Sequence, residues 1–459
     1  LVQVGGAVVT ADNLETRKKQ GSYYTPQVIV QYLVDNSLGR YLYGTADGKP
    51  DGAALPDATR LTATEIRHLR VIDMACGSGS FLIYAYQVLA AFYRSEIERL
   101  EHARRTEYAA LLKQGITTPF ELELRLARWT AELDRLQNYP SYILENHLYG
   151  VDLDPQAAEI ATVNLMMRAI ADMPSSQRRL PLILNQNVKV GNSLIGAGPD
   201  DARLEAHAAA LAELRALRLA LAAESENDPH DATLETIRDL TVQVTASLDA
   251  DLAGRFGDVA AQRPFHWVAE FPEVFVDAQG QSLGEAGGFE IIVGNPPWEI
   301  VKPDLREYYA QFDERIESKL TRGEVEARIA ELNAGDAAIL AGWARQQRRI
   351  EAAAAYYKQS SDFVRQGRGD TATHKLFVER SYTLLERSGR LALVIPSGIY
   401  TDLGTKALRQ MLFEEGRIEY LYSFSNERFF FTEVHHSFKF TLLGAQRGKS
   451  SDGFWATFR

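Results

Sequence analysis

Asn295-Pro296-Pro297-Trp298 follows directly on a short apolar run, Phe289 to Val293, that ends at Gly294. Ile291, Ile292 and Val293 favour a buried strand, and two successive prolines cannot continue a ladder. The tetrapeptide therefore reads as a stiff turn at the carboxyl end of a strand, the edge where open α/β sheets place ligands. The side-chain oxygen of Asn295 and the carbonyl of Pro296 are two acceptors held by rigid backbone. Aimed at the N–H bonds of an exocyclic amine such as that of adenine, they would pull the nitrogen towards tetrahedral geometry. That localises a lone pair otherwise delocalised into the ring. Trp298 adds a flat face for a base drawn out of a duplex. The chemistry suggested is methyl transfer to an amine. An isolated turn of this kind also ends ordinary core strands, so the surrounding elements decide.

Three more strand ends are legible. Val71-Ile72-Asp73 is a short strand, followed by Met74-Ala75-Cys76-Gly77-Ser78-Gly79-Ser80-Phe81 and a helix from Leu82 to Tyr93. Strand, glycine-rich turn and helix allow close approach of backbone to a ligand. Neither the dinucleotide fingerprint nor a P-loop is present, because the third glycine and the Gly-Lys-Ser/Thr are both missing. His147 to Asp152 reads as a second strand ending in an acidic residue, a position suited to ribose hydroxyls. Asp154-Pro155 then opens a helix from Gln156 to Ala171 as N-cap and first residue. Val188 to Leu194 reads as a third strand ending at Asn192, whose amide oxygen can accept a hydrogen bond. Upstream, Thr25 reads as an N-cap with Pro26 at the first helical position, opening an amphipathic helix that buries Val28, Ile29, Leu33 and Val34.

The remaining chain alternates helix and strand. Charged helical stretches interrupt the βαβ rhythm at about 92–138, 200–262 and 303–358. Gln346 to Arg349 is basic and reads as a solvated helix face rather than a phosphate contact. His374 to Leu385 is expected to be a helix, with strands at Leu391–Ile395, Arg417–Tyr422 and, last, Ser437–Leu443. His266 is expected to be structural. The pair His435-His436 lacks any carboxylate or cysteine at metal-ligand spacing, so no metal is expected.

The 459 residues exceed one simple core, and 46% hydrophobic with 24% charged residues is a globular composition. One cysteine, Cys76, excludes an internal disulfide and suits a reducing cytoplasm. No apolar stretch long enough to cross a bilayer and no signal peptide is seen. The chain starts at Leu1 and stops at Arg459 just after a strand-like segment, so it is expected to be a piece of something larger. A net charge of -11 argues against a surface coated for nucleic acid, although a local basic groove is compatible with it.

Taken together these motifs resemble the Eco57I-like methylase domain of restriction-modification and phage-defence enzymes. Asn295-Pro296-Pro297-Trp298 is similar to the catalytic motif of DNA amino-methyltransferases, with Asn in the first place as in the N6-adenine branch. Asp73 to Phe81 looks like their S-adenosylmethionine loop. Gly21-Ser22-Tyr23-Tyr24-Thr25-Pro26 resembles the segment covering the methionine end of the cofactor, and Phe265-His266-Trp267 with Phe271-Pro272-Glu273-Val274-Phe275 sharpens the likeness. The resemblance implies an α/β class I S-adenosylmethionine-dependent methyltransferase, a Rossmann-like, doubly wound mixed sheet of about seven strands with a terminal antiparallel hairpin and large helical inserts. It implies that Asn295, Pro296, Pro297 and Trp298 are catalytic. Tyr24, Thr25, Pro26, Asp73, Ala75, Cys76, Gly77, Gly79, Phe81, Asp152 and Asn192 would bind the cofactor. Phe431, with Phe430 second, would stack on the extruded base opposite Trp298.

The motif order, cofactor before catalysis, is the gamma arrangement, whose target-recognition domain lies beyond the catalytic one and is not seen here. Residues 1–60 are expected to form a helical segment with the cofactor-covering motif and 61–459 the catalytic domain. Double-stranded DNA is the expected partner, alongside a separate or C-terminal recognition domain and other defence-system subunits. The rival readings are the methylase part of a bifunctional restriction enzyme, an N4-cytosine enzyme, and a non-catalytic DNA-binding or scaffold subunit. No Asp…Glu-x-Lys nuclease cluster is evident, Asn295 stands where the cytosine enzymes more often carry Ser, and a scaffold has no need of Asp73, Asn295 and Trp298.

Overall fold

In the computed structural model, residues 2–4, 7–9, 25–55, 59–173, 183–223, 231–367, 369–431, 434–448 and 453–459 are described. Tyr24, Gly21 and most of the lead-in lie outside these. Eight strands form the main sheet: β1 (Val71–Asp73), β2 (Leu148–Asp152), β3 (Val188–Val190), β4 (Phe289–Gly294), β5 (Leu385–Pro396), β6 (Gly416–Ser425), β7 (Lys439–Arg447) and β8 (Trp455–Phe458). Their order is β8-β6-β7-β5-β4-β1-β2-β3. β3, β2, β1, β4 and β5 run parallel, and β7 is antiparallel to both β5 and β6. A mixed sheet with a terminal hairpin is what the family resemblance implied. The eighth strand is additional: β8 pairs parallel with β6 beyond the last strand foreseen.

Side chains alternate between two cores. Ile72, Phe289, Ile292, Leu391, Leu393 and Ile395 enter one cluster, and Val71, Ile291, Val293, Ala392 and Val394 the other. Because both faces are covered, the central strands read as continuous apolar runs rather than alternating ones. The second face carries α1 (Gln27–Val34), α2 (Ser80–Lys113), α3 (Pro119–Leu136) and α4 (Pro155–Asp172). The first carries α5 (Ala208–Ala223), α6 (Asp231–Phe256), the C-terminal half of α8 (Ala337–Gln359) and α9 (Thr373–Leu384).

Several boundaries differ from expectation. The helix after the glycine turn does not stop at Tyr93 but runs 34 residues to Lys113, since no Gly or Pro interrupts it. The first part of the 92–138 stretch is therefore the helix after the glycine turn, prolonged. β3 ends at Val190, and Asn192 lies beyond it in a turn bridged to Pro264. Pro26 is the N-cap of α1 rather than its first residue, its carbonyl accepting from the Ile29 and Val30 amides at 2.9 and 3.2 Å. Val28 is 62% exposed, not buried.

The inserts behave differently from one another. Leu211, Leu214, Val244 and Leu248 of α5 and α6 belong to the main core. Arg218 of α5 is clamped on Glu273 by two hydrogen bonds of 2.6 and 2.8 Å, with both side chains buried. By contrast Tyr308, Tyr309, Ile316, Val325 and Ile339, around α7 (Arg322–Gly335), form a small cluster of their own. No helix among the described residues is long and apolar enough to cross a membrane.

Candidate active site at the carboxyl ends of β1, β2 and β4

Parallel pairing sets Ile72 beside Ile292 and Asp73 beside Gly150, so the ends of β4, β1 and β2 emerge side by side. The glycine turn is laid across them. Asp73 Oδ1 accepts from the Ala75 amide at 3.0 Å, the Cys76 amide donates to the Val151 carbonyl at 3.0 Å, and the Gly77 amide donates to Asp152 Oδ2 at 2.8 Å. Gly77 and Gly79 sit at φ 53° and 86°, in the left-handed region open to glycine. A Cβ at Gly79 would stand 3.1 Å from that of Ala161, so the residue also lets α4 pack closely. Phe81 is buried beneath the turn.

Two carboxylates converge here. Asp73 is buried, and desolvation pushes its carboxyl up to about 7, against the Ala75 amide and with help from Asp152. Asp152 is also raised by burial, although the Gly77 and Asp154 amides oppose the shift. A donor or cation arriving at this edge would relieve both. Cys76 offers no such chemistry: burial raises its thiol well above the usual range, with Asp152 and Asp73 adding to the effect.

Gly294 lets the Asn295–Pro297 turn come in close, since a Cβ there would lie 2.7 Å from Asp73 Oδ1. Asn295 Nδ2 donates to Thr25 Oγ1 at 3.1 Å. Its Oδ1 is buried and meets no donor among the described residues. Thr25, expected to cap α1, instead uses its hydroxyl to fix the carboxamide, while the Pro26 carbonyl caps the helix. The Pro297 carbonyl accepts from Thr373 Oγ1 at 2.6 Å, and the Glu299 amide donates to the same hydroxyl at 3.0 Å. The Pro296 carbonyl is not the one that Thr373 takes.

Phe431 is brought to Trp298. It is almost wholly buried and meets the indole edge to face, with centroids 5.5 Å apart and planes at 67°. It also packs edge-on against Phe440 at 4.9 Å. The two rings are in contact, so no base fits between Trp298 and Phe431 as they stand. Phe430 is 39% exposed and packs on Phe440, not on Trp298.

On the β3 side, Asn192 Oδ1 accepts from the Leu194 amide at 3.1 Å, so one of its lone pairs is already engaged. Burial pushes the Tyr357 hydroxyl up, and the Asn192 side chain opposes the shift. Tyr356 Oη bonds both the amide and the carbonyl of Gly196, at 3.2 and 3.1 Å. His266 is structural: fully buried, it accepts at Nδ1 from the Ala197 amide at 3.0 Å and pairs with Asp249 at 3.2 Å. Thr373, Tyr356 and Tyr357 were missed from the sequence. No local pattern marks them, because each acts on a strand end far away in the chain. The Thr373 position before the Leu376–Leu384 apolar face was the one available signal, as a helix start.

A family model described as Eco57I restriction-modification methylase matches residues 146–322 and 343–430, and one described as MmeI, DNA-methyltransferase domain, matches 56–197. The chain is 28% identical over 183 residues to adenine-specific methyltransferase BrxX of Escherichia coli O9:H4 (strain HS), covering 36% of this chain and 12% of that one. It is 29% identical over 205 residues, 39% of this chain and 15% of the other, to the putative type II restriction enzyme and methyltransferase RM.MjaORFECS2P of Methanocaldococcus jannaschii. It thus spans under a sixth of either relative. Among solved structures, the DrdV–DNA complex overlays 97% of this chain and 29% of its own at 12% identity, with a TM-score of 0.41.

Proposed function

The chain belongs to the Eco57I restriction-modification methylase family, and from that premise we propose that it is the catalytic unit of a site-specific DNA adenine-N6 methyltransferase serving restriction-modification or phage defence. The observation that carries this reading is Asn295: its amide nitrogen is tied to Thr25, and its buried oxygen meets no donor among the described residues. An acceptor desolvated in this way costs free energy until a donor arrives, and an amine N–H is such a donor.

The residues suit S-adenosylmethionine, which when bound supplies a methyl group made electrophilic by its sulfonium. Asp73 and the Ala75–Gly79 backbone would hold its amino-acid end, with Thr25, Pro26 and, from the sequence likeness, Tyr24 above it. Asp152 would take the ribose hydroxyls, and the free lone pair of Asn192 the adenine amine. Asp152 is already oriented by the Gly77 amide, so the turn and the ribose site form one unit. The substrate adenine, extruded from double-stranded DNA, would lie on Trp298, with Phe431 closing on it once the two rings part. Asn295 Oδ1 and the Pro296 carbonyl then accept its two N–H bonds and localise the nitrogen lone pair. No side chain carries the methyl group. Residues 1–60 would cover the cofactor and 61–459 form the catalytic body. Target choice would come from a recognition domain or partner subunit.

Calorimetric titration of S-adenosylmethionine into the wild type and Asp73→Ala, followed by tritiated methyl transfer to unmethylated bacterial DNA, tests this. Binding lost in Asp73→Ala, with N6-methyladenine formation lost in Asn295→Ala, is expected. Absence of cofactor binding by the wild type would overturn the proposal.

A further inference from the structure

The connection from β6 to β7 presents aromatic rings to solvent beside the catalytic turn. Phe429 is 55% and Phe438 52% exposed, with Phe430 at 39%. Arg428 and Lys439 flank them and are also exposed, as are His435 and His436, whose rings lie tilted to one another with centroids 4.3 Å apart. Glu427 is the acidic residue facing this group among the described residues of the connection. On a chain of net charge -11 this is a local basic and aromatic surface.

The surface is built. Asn426 is fully buried and clips the connection together: Nδ2 donates to the Phe431 and Val434 carbonyls at 2.9 and 2.8 Å, and Oδ1 accepts from the Phe431 amide at 2.9 Å. Its own amide donates to the Phe438 carbonyl at 2.9 Å, closing the far end. Phe429 is held at φ 51°, a left-handed conformation unfavourable for a residue with a Cβ, and its amide donates to the Asn426 carbonyl at 2.7 Å. The result is a division of neighbours: Phe431 turns inward onto Trp298 at 5.5 Å, and Phe429 and Phe430 turn outward.

Resting on the methyltransferase reading above, we propose that this surface receives the DNA duplex at the place a base has left, with Phe429 and Phe430 lying against the exposed faces of the stack and Arg428 and Lys439 on the flanking phosphates. A duplex that has lost a base presents two unstacked faces within a few ångströms of phosphates. Aromatic rings between cations match that chemistry. The rings stand one and two residues from the one that touches the catalytic tryptophan, so contact here is contact beside the extruded base.

Anisotropy titrations with a labelled intact duplex and the same duplex carrying one abasic site test the proposal without knowledge of the target sequence. The wild type is expected to prefer the abasic duplex by about fivefold or more, in the range of a single base–aromatic stack. The double variant Phe429→Ala/Phe430→Ala should bind both duplexes alike, with S-adenosylmethionine affinity unchanged by calorimetry. Arg428→Gln/Lys439→Gln should weaken both duplexes equally and lower the salt slope by about 2. A wild type without preference, a wild type that binds neither duplex, or a phenylalanine variant that keeps the preference overturns the proposal. Cofactor binding and methyl transfer by the wild type stand apart from these results. Their loss defeats the site assignment, whereas their presence beside an indifferent phenylalanine variant defeats the surface alone.

Discussion

Thr25 shows how much a single hydroxyl decides in this protein. It lies 270 positions from Asn295 yet accepts that residue's amide hydrogen, and so selects which end of the carboxamide is left to act as an acceptor. Thr25→Val keeps the shape and removes the acceptor. We expect methyl transfer to fall roughly tenfold or more, corresponding to about 1–3 kcal/mol for a lost buried partner, with cofactor affinity nearly unchanged. Single-turnover kinetics beside calorimetry would separate the two. Asp73 gives a second residue-scale prediction. Burial lifts its carboxyl to about 7, whereas an unfolded Asp titrates near 3.9. The native state therefore binds this proton more tightly than the unfolded chain. The stability it contributes is full below about pH 4 and is lost as pH rises through about 7. A ligand ammonium favours the ionised form, so cofactor affinity should rise over the same window. Calorimetry between about pH 6 and 8 should show this rise, and Asp73→Asn should flatten it.

At the scale of elements, the site is a set of strand ends pinned by helices that arrive from elsewhere in the chain. The hydroxyl of Thr373, at the start of α9, spans the Pro297 carbonyl and the Glu299 amide and so sets the height of the catalytic turn. Thr373→Val should lower methyl transfer with little change in melting temperature, and Thr373→Ser should restore it. The α5 insert is anchored by Arg218 on Glu273. Burial alone would raise the Glu273 carboxyl, but the charge and hydrogen bonds of Arg218 hold it below the usual range. Removing one partner of a buried pair leaves the other uncompensated. Arg218→Met should therefore cost about 3–5 kcal/mol in urea unfolding, and Arg218→Met/Glu273→Gln should recover part of it.

For the whole molecule, the inserts are not equivalent attachments. α5 and α6 fill the same core as β1 and β4, whereas the cluster around α7 is separate. Hydrogen exchange should show α6 opening only with global unfolding and α7 exchanging earlier, because a small satellite core opens locally at lower free energy. Equal protection in the two would contradict this division. Their helical content was legible from charge spacing and alanine-rich composition. Their integration was not, because amphipathic periodicity says that a face is buried and not against what. The net charge of -11 was likewise a true average that says nothing of a local surface such as that of Arg428 and Lys439.

The sequence by itself determined the chemistry-bearing turns and their order. Glycine, proline and β-branched residues impose local backbone constraints that need no partner, so Asp73, the Gly77–Gly79 turn, Asp152 and Asn295-Pro296 could be placed on strand ends directly. Tertiary structure alone decided which groups those residues face. It turned Thr25 from a helix cap into the partner of Asn295 and gave Thr373 the catalytic turn. It packed Phe431 against Trp298 and turned Phe429 and Phe430 outward. These are contacts across up to 270 positions of chain. They follow from how strands pair and layers pack, and a sequence states that only as a hydrophobic pattern.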